Sequence, residues 1–356
     1  MLRPISLCMA SVLVLAACSQ ESATGSSAPP AKTAAAEPKP PELPPASEAP
    51  VAQAVEKADL GHDPTDAQAA RGVLIRAQVL LDRAHFSPGV IDGENGENMR
   101  LALAAYQRAH DLPTSGTLDE TTWKALTKQD RDAVLADYVI TEADVKGPFV
   151  KSIPKATDQM AKLDALSYSG PLEALAEKFH MDEALLQALN PGADFSKPGA
   201  RIIVARLKQT ELPAEVTRIE VDKSAGQLRA YDGQGQLAAV YPATVGSSDR
   251  PAPEGEWAVR AVAENPTWNY DPKRLSFGDG SEKQSIAPGP NNPVGVVWIA
   301  LTKDTYGIHG SPEPKLIGKT ASHGCVRLTN WDARQLARAV KEGTVVSFVG
   351  SEAASG

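Results

Sequence analysis

Two histidines and one cysteine lie close together in residues 308–327, which read IHGSPEPKLIGKTASHGCVR. His309 is near the start of this segment, and His323 comes two positions before Cys325. A thiol is mostly protonated at neutral pH and the thiolate is the nucleophile, so a reactive cysteine needs a base or a cationic neighbour. Either histidine could be that base. Arg327 could hold a carboxylate through its planar guanidinium group.

Gly324 lacks a Cβ, so it lets the backbone approach a ligand, and N–H groups near Cys325 could then form an oxyanion site. Two alternatives remain for these residues. Cys325 could be a small buried apolar residue with the histidines on surface loops. His309, His323 and Cys325 could also bind zinc, although no Cys-X-X-Cys or His-X₃₋₅-His spacing accompanies them.

The same residues resemble the signature of the L,D-transpeptidases of the YkuD type, a family that acts on bacterial peptidoglycan. That signature is a His-Gly pair, a spacer, Ser/Thr-His-Gly-Cys, one further residue and Arg. The matching residues are His309, Gly310, Ser322, His323, Gly324, Cys325 and Arg327. The resemblance covers residues 216–349 and includes the turn at residues 253–257 and the stretch 288–301.

The resemblance implies a nucleophile, a base and an orienting group. Cys325 would attack the carbonyl that joins the third residue of a peptidoglycan stem to the following D-Ala. His309 would be the general base, and the backbone carbonyl of Gly310 would orient it. An imidazole suits this task because its ordinary pKa is about 6.5.

The remaining matched residues would surround the substrate. His323 would lie beside the nucleophile, and the N–H groups of Gly324 and Cys325 would receive the oxyanion. Ser322 is placed in the same oxyanion and substrate region. Arg327 is a candidate for binding a substrate carboxylate, and a salt bridge within the loop is its alternative.

The acceptor of the acyl group stays open. An amine of another stem would give a cross-link, an amine of a lipoprotein would anchor that protein, and water would give a carboxypeptidase. Two rival functions are a related amidase or endopeptidase on the same scaffold and a wall-binding lipoprotein without activity. No cofactor is expected, because no dinucleotide-binding glycine motif or P-loop is present.

The elements that must position these residues are expected in a mainly-β, sandwich-like domain at residues 213–350 with one helix. Runs rich in β-branched and aromatic residues predict strands. These runs are residues 216–221, 227–231, 237–245, 256–262, 294–301 and 344–349. The helix is predicted at residues 331–341, after a Thr329-Asn330 cap and before Gly343.

A small all-α module of three helices is expected at residues 66–128. Apolar residues repeat with helical spacing at residues 70–84 and 99–106, and a third helix is predicted at residues 119–126. The helices, with Gly-rich turns at residues 89–93 and 116–119, resemble a peptidoglycan-binding module. That resemblance implies glycan as a partner, and a helical spacer is the alternative.

A small α/β module is expected at residues 138–207. Short helices are predicted at residues 172–178 and 182–189, and a strand is predicted at residues 201–205. Together with Asn190-Pro191, they resemble a LysM-like glycan-binding module, although Ser169-Gly-Pro-Leu replaces that module's usual Gly-Asp-Thr-Leu start.

The first 18 residues predict a lipoprotein signal peptide. A basic residue precedes a short apolar run, and Leu15-Ala16-Ala17-Cys18 resembles a lipobox in which Cys18 is lipidated. An ordinary signal peptide is the alternative. Lipidation implies an anchor in the cell envelope, with Ser19 favouring the outer membrane of a Gram-negative cell. Residues 19–64 are rich in Pro and Ala and predict a disordered tether.

Composition limits the classes of partner. The 356 residues carry a formal net charge of −8. Nucleic acid is therefore not expected as a partner, because binding to a phosphate backbone needs a basic face. Of the three cysteines, the signal would remove Cys8 and lipid would block Cys18. An exported protein with Cys325 as its one remaining thiol has a chemical reason to keep it.

Overall fold

The computed structural model describes residues 43–46, 49–61, 66–208, 211–247, 250–273, 282–322 and 324–351. The predicted signal peptide, the lipidation site Cys18 and His323 lie outside these ranges. No helix within the described ranges is both long and apolar enough to cross a membrane.

The helices in the described ranges are α1 Pro50–Glu56, α2 Ala67–Arg83, α3 Glu97–Ala109, α4 Glu120–Gln129, α5 Glu142–Lys146, α6 Thr157–Met160, α7 Pro171–Lys178, α8 Glu183–Leu189 and α9 Asn330–Ala339. The strands are β1 Leu135–Val139, β2 Arg201–Ala205, β3 Val216–Asp222, β4 Gln227–Asp232, β5 Leu237–Pro242, β6 Thr244–Val245, β7 Gly255–Glu264, β8 Trp268–Tyr270, β9 Gln284–Ile286, β10 Val297–Leu301, β11 Gly307–His309, β12 Val326–Arg327 and β13 Val345–Val349.

Helices α2, α3 and α4 form the predicted three-helix module. Asp66 and Asp119 accept backbone N–H bonds at the starts of α2 and α4. Two buried glutamines hold the glycine-containing turns: Gln78 accepts the N–H of Gly93 at 2.8 Å, and Gln107 accepts the N–H of Gly116 at 2.8 Å. The turns are therefore fixed by side chains from the helices beside them.

Helix α1 lies inside the segment expected to be a disordered tether, residues 19–64. Ala52 and Val55 are buried, and α1 packs on α2. Next to it, Asp59 accepts a hydrogen bond of 2.7 Å from Nε1 of Trp123. The prediction of a disordered tether is therefore wrong for residues 49–61. In this segment the buried face of α1, formed by Ala52 and Val55, packs against α2.

The middle region has four short helices between two strands. Strands β1 and β2 pair antiparallel, and α5, α6, α7 and α8 lie between them in the chain. Asn190 follows α8: its Nδ2 donates to the carbonyl of Ile203 at 2.8 Å, and its Oδ1 accepts the N–H of Ile203 at 2.6 Å. The predicted helices and second strand are present, and β1 is a strand that the sequence did not indicate.

The C-terminal region contains a nine-stranded sheet in the order β5-β4-β3-β13-β7-β10-β11-β12-β6. Strand β7 joins its two halves, because its first residues pair with β13 and its last ones with β10. One apolar core draws on strands from both halves and on α9. The predicted mainly-β domain with one helix is confirmed.

All described residues belong to one compact unit, Thr33–Gly356. The segment after α2 pairs with the edge strand β5: Ser87 donates its N–H to Val240 O at 2.9 Å, and Val240 donates to His85 O at 2.8 Å. An edge strand with a covered backbone is protected from pairing with another chain. Ile91 and Met181 form a similar bridge between the three-helix module and the middle region.

Candidate active site

Parallel pairing of β11 and β12 brings the two halves of the motif together. In this register Ile308 lies opposite Val326 and His309 opposite Arg327. Cys325 comes directly before β12, so the pairing places it next to the start of β11. The two predicted catalytic residues, sixteen positions apart in sequence, thus lie on neighbouring parallel segments, two register positions from each other.

His309 is buried, with 4% of its surface exposed. Its Nδ1 donates a hydrogen bond of 2.7 Å to the carbonyl of Gly310, and its ring stacks on Trp298 with centroids 5.4 Å apart. A carbonyl can only accept, so Nδ1 carries the proton and Nε2 is left as the basic nitrogen. Burial and the positive charge of Arg327 lower the pKa of His309 to about 3, against the hydrogen bond to Gly310.

Cys325 is partly exposed, and its thiol faces the backbone of the β10–β11 connection. The sulfur lies 3.8 Å from the carbonyl oxygen of Thr305. Burial raises the pKa of the Cys325 thiol, while the backbone N–H of Gly307 and the charge of Arg327 act in the opposite direction. At neutral pH the structure therefore holds a neutral thiol and a neutral imidazole.

Arg327 carries a positive charge that acts on both the thiol of Cys325 and the imidazole of His309. Its guanidinium is largely buried, and desolvation lowers its pKa, whereas the Cys325 thiol and Glu313 raise it. A positive charge here favours the thiolate and disfavours the imidazolium. The electrostatic effect of Arg327 is thus to help the thiol lose a proton and to keep the imidazole unprotonated, which also makes Nε2 of His309 a weaker base.

Ser322 shapes the turn that carries the cysteine. Its hydroxyl is buried, donates to the carbonyl of Cys325 at 2.6 Å and accepts the N–H of Gly324 at 3.2 Å. Gly324 has φ of +108°, and a Cβ there would lie 2.9 Å from the ring of Tyr306, so the position favours glycine. The predicted roles of these two residues in binding an oxyanion remain predictions.

The sequence predicts Asn330 only as part of a helix cap. The structure places its fully buried amide against Gly310: a Cβ on Gly310 would lie 2.2 Å from Asn330 Oδ1. The amide nitrogen donates to both carboxyl oxygens of Glu177, at 3.2 and 3.0 Å. No local signal reveals this contact, because Glu177 lies 153 positions earlier in the chain.

A cavity of about 650 Å³ lies elsewhere, where the middle region meets α9. Tyr168, Glu177, Phe179 and Trp331 are among the residues that line it, and Cys325 is not one of its described lining residues. Within the described ranges, no three His, Cys, Asp or Glu side chains converge on a place where a metal ion could bind.

Comparison with known proteins gives two family matches. A model of the L,D-transpeptidase catalytic domain named YkuD matches residues 216–347, and a model of a peptidoglycan binding domain matches residues 73–126. The first covers every predicted site residue from His309 to Arg327. The second covers the three-helix module.

Several relatives share the catalytic region. A Bacillus licheniformis protein that carries the name L,D-transpeptidase YkuD is 33% identical over 181 residues, which cover 50% of this chain and 92% of that protein. The Escherichia coli protein named L,D-transpeptidase ErfK/SrfK is 31% identical over 185 residues, and this chain spans 59% of its length. A solved L,D-transpeptidase from Mycobacterium smegmatis is 18% identical, with a TM-score of 0.31 over 43% of this chain and 64% of that one.

The extent and identity of the Bacillus licheniformis match, together with the catalytic-domain match over the β-sheet that holds Cys325 and His309, show the family. This chain belongs to the YkuD family of L,D-transpeptidases.

Proposed function

We propose that this protein is a cysteine L,D-transpeptidase that joins peptidoglycan stem peptides through an acyl-enzyme on Cys325. The observation that carries the proposal is the Nδ1–H bond from His309 to the Gly310 carbonyl, because it leaves Nε2 as a neutral base beside the strand that presents the thiol. A neutral imidazole with a thiol nearby is the pair that general-base activation of a nucleophile requires.

The first half-reaction forms a thioester. The sulfur of Cys325 attacks the carbonyl of the third stem residue while Nε2 of His309 takes the thiol proton. The oxyanion forms near the backbone N–H groups at Gly324 and Cys325, and donors in such positions stabilise developing negative charge. The N–H of Gly324 would exchange its bond to the Ser322 hydroxyl for the oxyanion. As the intermediate collapses, the C–N bond breaks, and His309 returns its proton to the leaving amine of D-Ala.

The second half-reaction reverses the roles. An acceptor amine attacks the thioester carbonyl, His309 takes the proton released from that amine, and the thiol of Cys325 leaves with a proton. A stem amine gives a new amide cross-link and a lipoprotein amine gives a protein anchor. His323 is proposed to position the substrate beside Cys325, and Arg327 to hold a substrate carboxylate.

The two N-terminal regions suit attachment to the wall. The match of residues 73–126 to a peptidoglycan binding domain supports glycan as the ligand of the three-helix module. The antiparallel pair of β1 and β2 with α7 and α8 supports a LysM-like glycan-binding arrangement, in which α5 and α6 are additional helices between β1 and α7. A lipid at Cys18 would keep all three regions at the cell envelope.

The test is product analysis with the full chain and disaccharide tetrapeptides, with Cys325→Ala as the matched control. Mass spectrometry is expected to find a cross-link through the third residue in the wild-type reaction and none with Cys325→Ala. Tripeptide and free D-Ala alone would replace the transpeptidase with a carboxypeptidase. No change in either reaction would contradict the catalytic assignment.

A further inference from the structure

The amide of Asn330 fills a slot between two glycines in the catalytic region. Its Oδ1 accepts the N–H of Val296 at 3.2 Å. A Cβ built on Gly295 or on Gly310 would lie 2.2 Å from that same oxygen, so both backbones touch the amide directly. The position of the Asn330 side chain therefore fixes where the Gly310 peptide can lie.

The Gly310 peptide in turn sets the orientation of the base. Its carbonyl accepts the Nδ1–H of His309, and its N–H donates to Val297 O at 3.2 Å. An imidazole can turn about its own side-chain bonds, and the bond to Gly310 restrains it with Nε2 as the free nitrogen. A shift of the Gly310 backbone would change the direction of the hydrogen bond from His309 Nδ1 to the Gly310 carbonyl, and the fraction of molecules in which that bond is formed.

The other end of the Asn330 amide is bonded both within the catalytic region, at Pro290, and outside it, at Glu177. Nδ2 donates to the two carboxyl oxygens of Glu177, at 3.2 and 3.0 Å, and to Pro290 O at 3.1 Å. Glu177 is on α7 of the middle region, and its Oε1 also accepts the hydroxyl proton of Tyr168 at 2.8 Å. The amide oxygen and the amide nitrogen of Asn330 are both hydrogen-bonded, so its orientation is determined.

We propose that Glu177 is a positioning residue for the catalytic base: the middle region orients His309 through Asn330 and Gly310. The kinetic test of this inference rests on the proposed function, because it needs an active enzyme, whereas the orientation of His309 can be measured without turnover. It assigns the middle region a part in assembling the active site, in addition to any binding of glycan. Removal of the Glu177 acceptors would leave the Asn330 amide held at Pro290 and Val296 alone.

The experiment compares Glu177→Met with Glu177→Gln in the full chain. Methionine keeps most of the volume and removes both acceptors, whereas glutamine keeps one acceptor for Asn330. We expect Glu177→Met to lower kcat about tenfold with KM unchanged, a small part of the roughly 100- to 10,000-fold that a positioned base contributes. Glu177→Gln should recover most of that loss. Glu173→Ala is the control. Glu173 is on the same helix as Glu177, but its carboxylate accepts the backbone N–H of Ser169 instead of a bond from Asn330.

A second readout does not depend on turnover. The Nδ1 proton of His309 is expected to give a protected NMR signal in the wild type, and this signal should shift and exchange faster in Glu177→Met but not in Glu173→Ala. If kcat and the imidazole signal are unchanged in Glu177→Met, the positioning role is wrong. If the wild type forms no cross-link, the proposed function fails, and the imidazole signal still decides the inference.

Discussion

The reactivity of Cys325 should rise steeply with pH, because the structure holds the thiol and the imidazole uncharged. A cysteine with the ordinary pKa of 9.0 is about 1% thiolate at pH 7, and burial raises the pKa of Cys325 above that value. His309, with a pKa of about 3, carries no charge at neutral pH and cannot stabilise a thiolate as an imidazolium would. Alkylation should therefore increase about tenfold for each pH unit between 6 and 8.

The assay is the alkylation rate of Cys325 by iodoacetamide between pH 4 and pH 10, followed by peptide mass spectrometry. The urea-unfolded chain supplies the reference profile, and its midpoint should lie below that of the folded chain. His309→Gln is the matched variant. In a neutral pair the imidazole acts only in the transition state of acyl transfer, so this variant should lose activity while its alkylation profile stays close to that of the wild type.

A different charge state would give the opposite profile. If Cys325 and His309 formed a thiolate and an imidazolium, alkylation would already be at its plateau at pH 6, and His309→Gln would slow it at pH 7. A plateau between pH 5 and pH 8 in the wild type would refute the neutral pair.

Three further variants test a buried carboxyl group on α9 and two residues of the candidate site. The pKa of buried Asp332 is raised from 3.8 to about 7, so the folded chain keeps a proton that the unfolded chain releases, and stability falls as pH rises from about 4 to 7. Asp332→Asn should therefore raise the free energy of unfolding at pH 8, by at most about 4 kcal/mol, and with it Tm. It should raise neither at pH 4. A lower Tm at both pH values would contradict this. Gly310→Ala would place a methyl 2.2 Å from Asn330 Oδ1 and should cost about 1–3 kcal/mol in chemical denaturation, whereas Gly233→Ala, with its nearest contact at 3.7 Å, should cost less than about 1 kcal/mol; equal losses would refute the steric reason. Arg327→Gln removes the charge that lowers the pKa of the thiol, so alkylation at pH 7 should slow, and a faster rate would show that Arg327 does not act electrostatically.

Most helices and strands were predictable because their signals are local. Helices α2, α3 and α4 follow the apolar spacing of the sequence, and Asp119 and Thr329 cap helices where the residue types indicate a start. Seven of the nine strands of the C-terminal sheet lie within or close to the predicted β-branched runs, whereas β11 and β12, which carry the candidate site, lie outside them. Helix α1 was missed because Pro and Ala dominate its neighbourhood, and only Ala52 and Val55 bury a face.

The chemical residues of the site were predictable, but the way they are held was not. The residue types indicate Cys325 as a nucleophile with a histidine as its base, and the resemblance to the family signature selects His309. The parallel pairing of β11 with β12 depends on tertiary structure and could not be predicted. Asn330 could be assigned to a helix start from the sequence. Its contact with Glu177 could not, since hydrogen bonds between distant parts of a chain leave no periodicity.

An acyl group on Cys325 would be visible in the mass of the enzyme itself during reaction. The full chain is mixed with a disaccharide tetrapeptide, quenched in acid and digested, and the peptide that contains Cys325 is weighed. We expect a thioester adduct equal to the substrate minus D-Ala on Cys325, present in the wild type and absent from Cys325→Ala. Turnover of the substrate with no adduct on Cys325, or equal turnover by Cys325→Ala, would contradict it.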